Sequence, residues 1–124
     1  METLGQLVTR MVPYWTEHLP QTSLRLLKVG RLGQHLIETA KSSLSLVYGM
    51  GENDMQRTCL WSDMMSSGQL GVFPKETESA DAETRKKVRT FLKMQQPNLV
   101  SEALESLNLG FDWTPETPTE FRRG

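Results

Sequence analysis

The chain has 124 residues, a formal net charge of −1 and one cysteine. That length suits a single domain burying about two-thirds of the surface its unfolded chain exposes, with no need of a disulfide or metal staple. The balanced charge excludes general polyanion binding driven by overall electrostatics, and a lone Cys59 excludes an intramolecular disulfide and points to a reducing compartment.

No apolar run reaches membrane-spanning length. The N-terminus, METLGQLVTR, lacks the basic segment and apolar core of a secretory signal. The expected location is cytoplasmic or nuclear. Leucine and methionine dominate the apolar set and Ile37 is the only isoleucine, a composition that suits helices better than strands.

Residues 2–12 carry Leu4, Leu7, Val8, Met11 and Val12 at helical spacing, and Pro13 is expected to end that helix. Tyr14, Trp15, His18 and Leu19 then form a short aromatic connector. Tyr14 and Trp15 either plug one end of the bundle or present an aromatic anchor to a partner.

The longest proline-free run, 22–48, is the element around which the others are expected to pack. Leu32, Leu36, Ile37, Ala40, Leu44, Val47 and Tyr48 fall on one stripe. Thr22 or Ser23 can cap its start, and Gly49 and Gly51 can close its end in a left-handed conformation. Gly30 and Gly33 interrupt it, each costing up to about 1 kcal/mol relative to Ala. Either another helix crosses closely over them or the run breaks into two pieces; a bent but continuous helix is the preferred form.

A third helix is expected over 53–67, capped by Asn53 or Asp54, with Met55, Cys59, Leu60 and Met64 inward and Trp61 and Met65 widening the stripe. Leu70, Val72 and Phe73 of the connector QLGVFP should tuck under the bundle, and 75–80 should form a loop. Ser79 can cap the helix 80–95, whose first turn holds Asp81 and Glu83. Its inner face carries Val88, Phe91, Leu92 and Gln95; Arg85, Lys86, Arg89 and Lys93 lie opposite. Pro97 stops it, and Asn98 can cap a last helix, 98–109, with Leu99, Val100, Ala103, Leu104 and Leu107 on one stripe and Gly110 as its end cap. These two helices should pair as a hairpin. Pro115 and Pro118 mark 111–124 as an extended tail. The fold class is therefore all-α: four or five helices (about 2–12, 22–48, 53–67, 80–95, 98–109) in a domain 1–110, followed by a flexible tail, 111–124.

Catalytic and cofactor signatures are weak. Cys59 on an inner face would be a small hydrophobe, His18 and His35 are the only histidines, and one Cys with two distant His does not assemble a metal site. The pieces VGRLGQ and YGMGEND lack the Lys-Ser/Thr of a phosphate loop. No catalytic, cofactor-binding or metal residue is assigned, and no cofactor is expected. Arg85, Arg89 and Lys93, spaced by four, align as a basic face. Glu102 and Glu105 on the following helix would repel phosphate, which disfavours nucleic acid. Phe111 and Trp113 either dock on the last helix or meet a partner. Thr114 and Thr117 each precede a proline, the pattern of proline-directed phosphorylation.

One fragment, Leu32-Gly33-Gln34-His35-Leu36 with Glu38-Thr39, resembles the second-helix motif of the lentiviral Vpr proteins over seven positions; the rest of the chain departs from that family in length and in its acidic, proline-containing tail. The resemblance implies a viral accessory protein engaging host factors as an alternative. The residues themselves point to a non-enzymatic protein–protein interaction module, an adaptor or regulator, binding another protein through Arg85, Lys86, Arg89, Lys93, Phe111 and Trp113. A nucleic-acid-binding helical domain and a small Cys- or His-dependent enzyme are the remaining alternatives, and homo-oligomerisation stays open.

Overall fold

The computed structural model describes residues 2–75, 77–95 and 99–116. Within them six helices follow one another, with no strand: α1 (Leu4–His18), α2 (Pro20–Lys28), α3 (Leu32–Met50), α4 (Asp54–Ser67), α5 (Ala82–Gln95) and α6 (Leu99–Ser106). No described helix is long and apolar enough to cross a membrane. Pro97 and Asn98, the expected corner before the last helix, lie outside the described residues, as do residues 117–124 and the side chain of Gln95.

The leucine stripe of α3 is the centre. Leu36, Ile37, Ala40, Leu44 and Val47 are fully buried, as are Leu4, Leu7, Val8 and Met11 of α1, which lies along it. Burial of this kind contributes roughly 1.5–3 kcal/mol for each large apolar side chain. α2, α4 and α6 also pack on α3.

Pro13 does not end α1. The helix runs on to His18 with Pro13 on its exposed side, so Tyr14, Trp15 and His18 belong to its last turns rather than to a connector. An interior proline removes one helical hydrogen bond and costs about 3 kcal/mol. Packing on both sides of it outweighs that penalty: Met11 and Val12 precede it in the core, and Trp15 and Thr16 follow it there. Trp15 also donates its Nε1–H to the carbonyl of Val72 at 3.0 Å. The connector after α4 is held by alternate carbonyls. Ser43 donates to Leu70, Trp15 to Val72 and Tyr14 to Pro74, so the connector leaves none of these three acceptors unmet. Leu70 and Val72 are buried there and Phe73 half-buried, as the sequence suggested.

The expected single helix over 22–48 is two helices. Gly30 adopts φ +72°, and the amides of Gly30 and Arg31 close back on the carbonyls of Leu27 and Leu26. This is the ending that a left-handed residue gives a helix. Gly33 serves the other purpose, close crossing: a Cβ there would lie 3.0 Å from the carbonyl oxygen of Leu99 and 3.1 Å from Cβ of Ala103 in α6. Both roles weighed for this glycine pair thus occur, one at each.

Several caps fall elsewhere than expected. Thr22 and Ser23 do not cap α2; Leu19 is its N-cap residue and Pro20 its first helical position. The open amides of Gln21 and Thr22 are met instead by the Glu78 carboxylate, at 2.7 and 2.9 Å, which also accepts from the Thr22 hydroxyl. Gly49 lies inside α3, and Gly51 ends it with φ −92° rather than in the left-handed region. Asp81, not Ser79, caps α5 by accepting from the Thr84 amide at 2.8 Å. α6 stops at Ser106, where Asn108 at φ 56° and the Leu109 amide on Leu104 do what Gly110 was expected to do. Asn53 caps α4 by accepting from the Gln56 amide at 2.9 Å, as expected.

α4 is rotated from its expected pose. Met55 is 78% exposed and Cys59 is exposed, while Trp61 is buried and Leu60, Met64 and Met65 half-buried. Its apolar residues lie nearly all the way round, so spacing does not choose the inner side; the large indole, with most area to remove from water, does.

Two outcomes test these local causes. Gly30→Ala has open space for its Cβ, so only the backbone conformation resists it, and chemical denaturation should show a loss of about 1–2 kcal/mol. Burial raises the Glu78 pKa, but hydrogen bonds from Thr22 and Gln21, aided by Arg25, outweigh it and leave the carboxyl below its ordinary value. A depressed carboxylate stabilises the fold at neutral pH, and that stabilisation fades as pH falls through the lowered pKa. Glu78→Gln should therefore destabilise by about 1 kcal/mol near pH 7, with the gap to wild type closing as the buffer is taken to about pH 3.

Candidate interaction groove

α5 rests on α1 and α2, whereas α6 rests on α1 and α3. The two were expected to close on each other as a hairpin. Splayed in this way, they leave a trough of about 680 Å³ over the outer side of α1.

Each wall is set by helical spacing. Thr9, Val12, Pro13 and Thr16 stand at i, i+3, i+4 and i+7 and form the floor. The hydroxyls of Thr9 and Thr16 donate to the carbonyls four residues back, Gly5 at 2.7 Å and Val12 at 2.8 Å, which satisfies them within α1. Arg89, Leu92 and Lys93 of α5 make one wall, Val100 and Ser101 of α6 the other, and Phe111 closes one end. Leu92 and Val12 are buried where the trough meets the core.

The rim is charged. Arg89 pairs with Glu17 at 2.8 Å, both about half exposed, and Arg85 donates from Nε to the Glu17 carbonyl at 3.2 Å. The hydrogen bond from Arg89 holds the Glu17 carboxyl below its ordinary pKa against the opposing effect of burial, and the charges of Arg89, Arg85 and His18 act in the same sense as that bond. Lys93 has no carboxylate partner among the described residues.

The sequence-derived residues thus separate. Arg89, Lys93 and Phe111 meet in the trough. Arg85 sits beside it, tied to the end of α1, and Lys86 is exposed on α5 outside the lining. Trp113 is buried, with Lys41 Nζ 5.6 Å from its ring centroid, and is not in the trough. Both aromatics reach α1 through their backbone. The carbonyls of Phe111 and Trp113 accept from the amides of Gly5 and Leu4, both at 2.9 Å, so the chain beyond α6 supplies acceptors for the open first turn of α1. The Phe111 ring lies flush on Gly5 and remains 49% exposed on its outer side.

Thr9, Val12, Pro13, Thr16, Glu17, Leu92, Val100 and Ser101 complete the trough and were not assigned to a binding surface from the sequence. The signal for the first four was their spacing, hidden by the expectation that the helix ended at Pro13.

Elsewhere, Cys59 is exposed on α4, and the His35 ring stands edge-on to Trp15 at 5.4 Å. Thr114 is half-buried in a smaller cleft with Tyr48, Asp54 and Arg57; Thr117 lies outside the described residues. Among the described residues no group of three or more His, Cys, Asp or Glu is placed to hold a metal ion. No family model, curated protein or solved structure matches the chain.

The seating of Phe111 gives a direct test. A Cβ at Gly5 would lie 2.2 Å from the Phe111 ring, so Gly5→Ala must displace that ring and should cost about 1–3 kcal/mol in a denaturant titration. In a Phe111→Ala background the same substitution should be nearly neutral, because the two changes remove one contact.

Proposed function

We propose that this chain is a non-enzymatic protein–protein interaction module, an adaptor or regulator, and that the trough between α1, α5 and α6 is its binding surface. The observation that carries this reading is the trough itself: a lining that includes the apolar side chains of Val12, Pro13, Leu92 and Val100, with a half-exposed aromatic at one end and two guanidinium or ammonium groups along one edge. Binding surfaces characteristically combine a few apolar anchors with a polar rim. A side chain inserted between Val12, Leu92 and Val100 would remove apolar surface from water on both molecules, while Arg89 and Lys93 would set orientation and encounter rate.

Nucleic acid is the less favoured partner. Glu17 stands among the basic residues and already neutralises Arg89, so this edge is not an uninterrupted cationic track. The exposed single thiol of Cys59 accords with a cytoplasmic or nuclear setting.

The test uses Ser101→Arg, which places a bulky side chain in the trough from an exposed position, beside Met55→Ser on the exposed face of α4. Both should keep the helical circular-dichroism spectrum. Affinity capture from cells expressing each chain should recover a protein with wild type and Met55→Ser that is lost with Ser101→Arg. Equal recovery by all three chains would contradict the assignment of this surface.

A further inference from the structure

The charges around the trough specify the chemistry of its occupant. Arg89 and Lys93 are one helical turn apart on the same face of α5 and line the same edge. The acidic residues of α6 do not oppose them: Glu102 lines the other side of that helix with Gly33 and Gln34, and Glu105 is exposed outside the lining. Among the described residues the one carboxylate at the edge is Glu17, and it is bound to Arg89.

We propose that the trough takes an acidic amphipathic helix of a partner protein, lying alongside α5, and that Glu17 occupies the place of one of the partner's carboxylates until it binds. This rests on the trough being the binding surface. The partner's apolar residues at i, i+3 or i+4, and i+7 enter between Val12 and Pro13 of the floor and Leu92 and Val100 of the walls. Its Asp or Glu residues, one turn apart, meet Arg89 and Lys93 at the matching spacing. An arginine receives a carboxylate through two parallel N–H donors, so Arg89 can exchange Glu17 for the incoming group with no rearrangement of α5. Glu17 thereby acts as an internal competitor: it keeps Arg89 paired and weakens acidic ligands that lack an apolar anchor.

A displayed library of helix-forming peptides with randomised surface positions, selected on the full chain, tests the assignment. Selected sequences should carry leucine or aromatic anchors at helical spacing with Asp or Glu one turn apart. As soluble peptides they should lose binding to Ser101→Arg. The charge-reversed Arg89→Glu/Lys93→Glu chain should bind them about tenfold or more weakly, and Glu17→Gln about two- to fivefold more tightly, as expected for exposed ion pairs gained or lost.

Peptides blocked by Ser101→Arg but rich in Lys or Arg, or indifferent to the charge reversal, would overturn the acidic-helix assignment and leave the trough as the binding surface. Binding that survives Ser101→Arg, or a selection that yields no binder, would overturn the surface as well. Sodium laurate bound in the trough, with no peptide competing for it, would replace the partner helix by a small acidic amphiphile.

Discussion

Burial of α1 along α3 is the interaction on which the rest of the molecule depends. Leu4, Leu7, Val8 and Met11 on one side, and Leu36, Ile37, Ala40, Leu44 and Val47 on the other, form a seam of fully buried apolar side chains. Its strength explains why α1 continues through Pro13: stopping there would strand Trp15 outside the core and release the connector it holds through Val72. The same seam fixes where the start of α1 and residues 111–113 meet. The first amides of α1 have no partner within the helix, and the carbonyls of Phe111 and Trp113 receive two of them. A helix start and a segment more than a hundred residues later thus complete each other, which makes residues 111–113 part of the fold.

The binding surface follows from that arrangement. α1 is shared: one side of it builds the core, and on a neighbouring stripe Thr9 and Pro13 are left outward, with buried Thr16 where the stripe meets the core. α5 is drawn towards α2, partly because Glu78 ties the preceding loop to the start of that helix, and α6 is drawn over Gly33 of α3. Neither helix covers the outward stripe fully. A proline that breaks the usual pattern is tolerated in α1 where the helix faces the trough rather than the core.

Much of this was legible in the residues. Leucines at intervals of three and four located the α1 and α3 seam, and the two glycines marked the place where the long run changes direction. Asn53 announced the start of α4. What stayed hidden had physical causes. The outcome at Pro13 was decided by packing on either side of it, which no local propensity contains. α4 has apolar residues nearly all round, so no spacing could select Trp61 over Met55 or Cys59. The trough is made by two helices failing to meet, and its floor of threonine and proline has no hydrophobic signature. The contacts of residues 111–113 run through backbone carbonyls, which every residue carries.

Amide hydrogen exchange followed by NMR tests the shared role of α1 most directly. The first amides of a helix exchange fast when water is their only partner. The account predicts slow exchange at Leu4 and Gly5, beneath the carbonyls of Trp113 and Phe111, together with slow exchange at Trp15 and Thr16 beyond the proline. Exchange at unstructured-peptide rates at Leu4 and Gly5, or a sharp loss of protection after Pro13, would contradict it.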